Sequence, residues 1–197
     1  MEKPEKIVIA TNNEHKINEF KAAFEKIGIK VISQSEIVDN FSVDETGSSF
    51  EENAKLKAQG LANLTKLPTI ADDSGLVVPS LNGEPGIYSA RYAGDHDDEA
   101  NNQKLLRNLQ TKSDRSAYFE TALVLIVPNE QSIIAKGRVN GKILKSQRGD
   151  NGFGYDPLFY IPEFEKTMAE MTTNEKNQIS HRGRAIENLM EKIANWR

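Results

Sequence analysis

Short apolar runs of strand length alternate with stretches of helical spacing in the first third of this chain. That alternation restricts it to folds mixing strands with helices. Ile7 to Thr11 is apolar until it ends in Thr-Asn-Asn, the pattern of a strand delivering a helix cap. Ile17, Phe20, Phe24 and Ile27 then fall at helical spacing, and Gly28 closes that helix. Lys30 to Ser33 reads as a second strand. Ser49 with Glu52 three residues on predicts a capping box, opening a helix that carries Phe50, Ala54, Ala58, Leu61 and Ala62. Thr69 to Ala71 predicts a brief strand stopping at Asp72-Asp73-Ser74-Gly75, with an extended run resuming over Leu76 to Val78.

Farther on, Asp97 or Asp98 caps a helix bearing Leu105, Leu106 and Leu109. Ala117 to Val127 is the strongest strand signal in the chain, being long and rich in β formers. Ser132 to Val139 follows across Pro128-Asn129-Glu130, which predicts a hairpin. Ile186, Leu189, Met190, Ile193 and Trp196 form a C-terminal helical stripe. The class expected is α/β or mixed α+β, as one domain over residues 1–197.

Composition narrows the function classes. A chain of 197 residues buries about 70% of its unfolded surface, enough for a core without staples. Cysteine is absent, which excludes disulfides, thiolate catalysis and Cys-ligated zinc. His15, His96 and His181 lie far apart, so a metal site must rest mostly on oxygen ligands, favouring Mg²⁺ or Mn²⁺. The net charge of −4 argues against a broad nucleic-acid surface. The longest apolar run, Ala122 to Pro128, is far too short to span a bilayer, and the N-terminus lacks a signal-peptide pattern. A cytoplasmic protein with neither membrane nor nucleic-acid partner is expected. Arg148-Gly-Asp150 reads as a turn.

Four polar clusters could carry chemistry. Thr11, Asn12, Asn13, Glu14, His15 and Lys16 stand where a strand ends and a helix begins, where free backbone amides and a lysine suit a phosphate. Taken locally, an ordinary N-cap with surface residues is the commoner explanation, and no Walker motif exists in the chain. Asp72 and Asp73 with Ser74 follow an apolar run, and two adjacent acids there suit a divalent cation or a solvated Asx turn. Glu45 precedes the helix carrying Glu52 and Lys57 and could complete a carboxylate set with Asp73. Glu51 with Lys55 reads as a surface i,i+4 pair. Phe153, Gly154, Tyr155 and Asp156 form a turn with an aromatic ring, and Lys176, His181 and Arg182 stand near the last helix. They suit a base and its carbonyl, or a buried aromatic corner and a helix start.

In this order the clusters resemble the noncanonical purine nucleoside triphosphate pyrophosphatases, the inosine/xanthosine triphosphate pyrophosphatase family. The carrying residues are Thr11 to Lys16, Glu45-Thr46-Gly47 with Phe50 to Ala58, Ala71 to Leu76, Gly86 to Tyr92, Phe153 to Pro157 and Ser180 to Gly183. The match runs from Ile7 to about Ala185. Asn12 departs from the pattern, since many relatives have glycine there.

The resemblance implies a two-lobed α/β fold around a long central mixed sheet with flanking helices, a nucleotide cleft between the lobes, and a homodimer. It implies Mg²⁺-dependent cleavage of ITP, dITP or XTP to the monophosphate and pyrophosphate, with Mn²⁺ a possible substitute. Thr11 to Lys16 and Lys57 are then phosphate contacts, with Lys57 grouped with Asp73 as catalytic. Glu45 and Asp73 are metal ligands, and Asp73 also accepts the proton of the attacking water. Ser74, Phe153, Gly154, Tyr155, Asp156, Lys176, His181 and Arg182 are substrate contacts. A nucleotide-binding regulator without catalysis and a pyrophosphatase for modified pyrimidines are the competing readings. Asp73, Glu45 and Lys57 argue against the first, and the His181-Arg182 donor pair, suited to a 6-oxo purine, against the second.

Overall fold

In the computed structural model, which describes residues 3–94 and 97–194, the first strand shows how the chain is layered. Ile7, Val8 and Ile9 of β1 (Lys6–Ile9) are all fully buried. Successive strand residues face opposite ways, so β1 must be covered on both sides. Ile7 and Ile9 enter one apolar cluster, with Phe20 and Phe24 of α1 (Glu14–Glu25) and Ala185, Ile186, Leu189 and Ile193 of α5 (His181–Ile193). Val8 enters another, with Ala54, Ala58, Leu61 and Ala62 of α2 (Phe50–Thr65). Seven strands form one mixed sheet in the order β2-β1-β3-β4-β5-β6-β7. The others are β2 (Lys30–Ser33), β3 (Thr69–Val77), β4 (Ser116–Ile126), β5 (Ile133–Ile143), β6 (Phe159–Ile161) and β7 (Lys166–Thr167). β1 pairs in parallel with β2 and β3, whereas β6 pairs antiparallel with β5 and β7.

The chain divides into two compact units. The first comprises the residues up to Asp73, Thr121–Gly137 and those from Arg182 onward, and it holds both clusters just described. The second comprises Ser74–Glu120 and Arg138–His181. Its core joins Leu76 and Val78 to Leu105 of α3 (Asp98–Asn108) and to Leu109 just after it, with Phe119, Val139, Tyr155, Phe159 and Met168. The Phe119 and Phe159 rings lie 4.7 Å apart between centroids. Here α4 (Thr173–Ile179) is capped by Thr172, with Glu175 reaching back to complete a capping box.

Several expectations change in detail. The break expected at Asp72-Asp73-Ser74-Gly75 does not occur: β3 runs unbroken from Thr69 to Val77 through the acids. Asp and Gly disfavour strands in isolation, but tertiary partners override that preference. The capping box at α2 is displaced by one residue. Ser49 Oγ accepts from Glu52 N, but Glu52 reaches back to the amide and hydroxyl of Ser48. Glu51 pairs with Lys136 at 2.7 Å rather than with Lys55. Asp97, not Asp98, caps α3, accepting from Ala100 N. β4 and β5 are neighbours joined by residues 127–132, as the hairpin pattern predicts. His96 and Trp196 lie outside the described residues.

At the start of β5 the Lys136 carbonyl accepts from Asn188 Nδ2 at 2.7 Å, and the Ile134 carbonyl accepts from Lys192 Nζ. Among the described residues, β6 pairs with β5 only at Lys142 and Ile143. No helix among the described residues is long and apolar enough to cross a membrane.

Phe24 is fully buried, whereas Leu64 on α2 is 58% exposed. Phe24→Ala is expected to cost about 3–5 kcal/mol and Leu64→Ala under about 0.5 kcal/mol. Urea midpoints at constant m-value measure both; equal losses would remove the α1 aromatics from the core.

Candidate active site

Two neighbouring acids on β3 have opposite surroundings, and the strand geometry is the cause. Consecutive side chains leave a strand on opposite faces. Asp72 shares the face of Ile70, which lies in the α1/α5 cluster, and Asp73 that of Ala71, in the α2 cluster. Their charge partners therefore come from different helices.

Asp72 is almost completely buried and faces two cations. Lys16 Nζ lies 3.0 Å from Oδ1 and 2.9 Å from Oδ2. Arg182 Nε lies 3.4 Å from Oδ2, and Arg182 Nη1 lies 3.2 Å from Glu19 Oε2. Burial alone would push the Asp72 carboxyl up, but Lys16, Arg182 and Lys57 outweigh it and hold it well below the ordinary carboxylate range. Burial likewise opposes the Arg182 charge, yet Asp72 and Glu19 raise its pKa above the ordinary value.

Lys16 reaches Asp72 from the first turn of α1. Asn13 caps that helix, its Oδ1 accepting from Lys16 N at 3.2 Å, and Thr11 Oγ1 accepts from Asn13 N. Glu14, His15 and Lys16 form the first turn. Asn12 accepts through Oδ1 from Gln34 Nε2 at 3.0 Å.

Asp73 meets one cation and a second acid. Lys57 Nζ lies 2.8 Å from Glu45 Oε1 and 3.8 Å from Asp73 Oδ1. Asn53 Nδ2 donates to Asp73 Oδ2 at 3.1 Å, while Asn53 Oδ1 accepts from Gly47 N at 2.8 Å. Asn53 therefore ties the loop carrying Glu45 to the strand carrying Asp73. Burial pushes the Asp73 carboxyl up; Lys57 opposes this and Glu45 adds to it, leaving a pKa of about 6. Lys57 resists its own burial because Asp73, Asp72 and Glu45 raise its pKa above the ordinary value.

Two carboxylates against one lysine leave an excess negative charge, and the donor set is all oxygen. Among the described residues no three acidic or histidine side chains converge. Glu45 and Asp73 thus fit a hard cation completed by water and substrate oxygens, the usual manner of Mg²⁺.

The second unit holds the aromatic group. Asp156 is buried and accepts from Phe153 N at 3.1 Å and from Lys176 Nζ. Gly152 has φ +85, and a Cβ there would fall 2.1 Å from Asp156 Oδ2, so only glycine lets this carboxylate fold back on its own loop. Phe153 is 67% exposed, with Lys176 Nζ 4.9 Å from its ring centroid. Gly154 donates its amide to Asp98 at 2.7 Å, and its carbonyl accepts from Asn102. Tyr155 is a core residue whose hydroxyl donates to the Ser89 carbonyl at 2.8 Å, so Phe153 is the ring this turn presents. The His181 ring stacks on Phe119 at 5.1 Å. Ser74 follows Asp73 within β3.

The structure therefore gathers Lys16, Asp72 and Arg182 on one side of β3 and Glu45, Lys57 and Asp73 on the other. It separates the environments of His181 and Arg182, adjacent in sequence. Reading the sequence missed Asn53, Glu19 and Gln34 as partners. A signal existed for Asn53 alone: a polar residue on the apolar stripe of α2, between Phe50 and Ala54.

Residues 7–192 match the Ham1 family model. The chain is 54% identical over 188 residues to a dITP/XTP pyrophosphatase of Staphylococcus epidermidis, covering 95% of each. It is 48% identical over 198 residues to a dITP/XTP pyrophosphatase of Lactiplantibacillus plantarum, covering 100% of this chain and 98% of that one. It superposes on the Staphylococcus aureus Ham1 protein with a TM-score of 0.93 at 49% identity, covering 98% of this chain and 100% of that one.

Opposite surroundings predict opposite mutational effects. Asp72→Asn should cost about 3–5 kcal/mol at pH 7, because it leaves Arg182 buried and underpaired. Asp73→Asn should stabilise the metal-free protein. An acid whose folded pKa is raised from 3.8 to about 6 takes up a proton on folding between those values, so its contribution to stability falls as pH rises through that window. The gain should reach up to about 3 kcal/mol at pH 8 and vanish near pH 4. Denaturant unfolding in chelator at both pH values checks it; a destabilised Asp73→Asn at pH 8 refutes the electrostatic account.

Proposed function

Because the chain belongs to the Ham1 family, we propose that it hydrolyses noncanonical purine nucleoside triphosphates, namely dITP, XTP and ITP, to the monophosphate and pyrophosphate. The observation that carries this reading is the Glu45-Lys57-Asp73 group, in which Lys57 Nζ lies 2.8 Å from Glu45 and 3.8 Å from Asp73, a half-buried carboxylate whose pKa is pushed up to about 6 in the metal-free protein. A general base works best with its pKa near the operating pH. The dITP/XTP pyrophosphatases among its relatives supply the substrate class.

In this reading Thr11, Asn12, Asn13, Glu14, His15 and Lys16 hold the phosphates, with the positive end of α1 and the Lys16 ammonium supplying positive charge. Glu45 and Asp73 hold a Mg²⁺ ion, for which Mn²⁺ can substitute. When bound, that ion neutralises phosphate charge and favours attack on phosphorus. Asp73 takes a proton from the attacking water as its oxygen bonds to the α phosphorus. The bond from that phosphorus to the bridging oxygen breaks, and pyrophosphate leaves with the electron pair. Lys57 offsets the charge of both carboxylates throughout. No protein nucleophile is needed, in keeping with a chain without cysteine.

Ser74, Phe153, Gly154, Tyr155, Asp156, Lys176, His181 and Arg182 are assigned to the nucleoside, Tyr155 through the turn it anchors. Hypoxanthine and xanthine offer a 6-oxo acceptor to donors such as His181 and Arg182. Adenine offers an amino group and leaves such donors unmatched, at about 1–3 kcal/mol each. One domain over residues 1–197, a homodimer and a cytoplasmic setting belong to the same proposal.

A panel of nucleoside triphosphates with Mg²⁺, resolving pyrophosphate from phosphate, tests the reaction. ITP, dITP and XTP should yield pyrophosphate, ATP at least about tenfold less efficiently, and EDTA should abolish turnover. Orthophosphate as the primary product, or equal rates on ATP, overturns the proposal. Asp73→Asn should lower the rate at least about 10²-fold with the fold intact. Arg182→Ala should cost about 1.5–3 kcal/mol in ITP efficiency and lower the ITP-to-ATP efficiency ratio. An unchanged ratio in a folded variant leaves Arg182 only its roles toward Asp72 and Glu19.

A further inference from the structure

Parallel pairing of β1 with β2 sets Ile9 opposite Ser33, so the residues following each strand emerge side by side. On one side emerge Ala10, Thr11 and Asn12, which lead into α1. On the other emerges Gln34, whose side chain is almost fully buried. Burying a primary amide is costly unless its hydrogens are used, and here both acceptors are shown. Gln34 Nε2 donates to the Phe41 carbonyl at 3.3 Å and to Asn12 Oδ1 at 3.0 Å.

The Phe41 contact removes the usual ambiguity of an amide. A backbone carbonyl only accepts, so the Gln34 atom facing it must be the NH₂ group. The same nitrogen meets Asn12, so the Asn12 atom facing it must be the oxygen. Asn12 Nδ2, with its two hydrogens, is thereby turned away from Gln34. Asn12 itself is exposed, one residue before the cap of α1.

The Gln34 backbone is held as well. Its carbonyl accepts from Ile37 N and Val38 N, and Ser33 before it donates its amide to Glu36 Oε1 at 2.9 Å. A rigid, buried donor thus sets the orientation of an exposed amide in the segment assigned to phosphate.

We propose that Gln34 is a positioning residue for the substrate's phosphates: it locks the Asn12 carboxamide so that its NH₂ edge serves as an anion donor. This rests on the assignment of residues 11–16 to phosphate made above. It also gives a physical reason for asparagine at a position where a glycine would offer only backbone. The competing account is that Gln34 merely ties the Phe41 loop to β2, in which case its effect is independent of residue 12.

A double-mutant cycle over Gln34→Leu and Asn12→Gly separates the two. The readouts are pyrophosphate affinity by calorimetry in Mg²⁺ buffer, KM and kcat for ITP, and Tm. In the native background Gln34→Leu should weaken pyrophosphate and raise KM about 5–10-fold, with kcat changed less than about twofold. In the Asn12→Gly background it should add less than about twofold. Equal effects in both backgrounds, or none in either, overturn the proposal. If Gln34→Leu does not fold, Asn12→Ala decides: it removes the outward donor without adding a charge. At least a tenfold loss in pyrophosphate affinity is expected, and an unchanged affinity refutes the donor role. Failure of the native protein to turn over ITP would overturn the proposed reaction while the pyrophosphate cycle still tests Gln34. Failure to bind pyrophosphate at all would overturn both.

Discussion

A carboxylate buried as completely as that of Asp72 remains an anion only while cations face it, and here the cations come from opposite ends of the chain. Lys16 is delivered by the first helix and Arg182 by the last, so one strand residue fastens both to the sheet. Neither helix could shift without exposing a charge whose desolvation has already been met by the other. Glu19 extends the arrangement by holding the outer nitrogen of Arg182. This cluster constrains where the first turn of α1 lies, and with it the segment from Thr11 to Lys16.

The alternation of the strand does the rest. A run of two acids would repel strongly if both pointed to one side, but the pleat sends them to different helices with different numbers of cations. Asp72 is over-compensated and stays ionised; Asp73 is under-compensated and sits near the point of taking a proton. Two chemically identical side chains therefore acquire a fixed role and a titrating one from a single backbone rule.

Much of this was legible in the sequence because it rests on local patterns. The helical stripe from Ile17 to Ile27, the β-rich run after Ala117 and the serine ahead of α2 each have near neighbours that enforce them. The acids were legible as candidates, but not their divergence, because Asp-Asp-Ser-Gly reads as a turn until Lys16, Arg182, Asn53 and Lys57 are present in space. Those partners lie 56, 110, 20 and 16 residues away along the chain. Glu51 was misread for the same reason: a partner one helical turn away is visible in sequence, whereas Lys136 on β5 is not. The Glu52 cap shifted by one residue because two donors of Ser48, a hydroxyl and an amide, outcompete the single amide of Ser49.

The two α5 side chains that cap β5 have a bearing on the behaviour of the protein in crowded solution. The carbonyls of Ile134 and Lys136 have the same parity and so point to one side of their strand, where a foreign strand could otherwise dock and extend the ladder. Asn188 and Lys192 already fill those acceptor positions from within the same molecule. An intruding segment would have to displace both donors. The last helix thus doubles as a guard against self-templated aggregation along this edge.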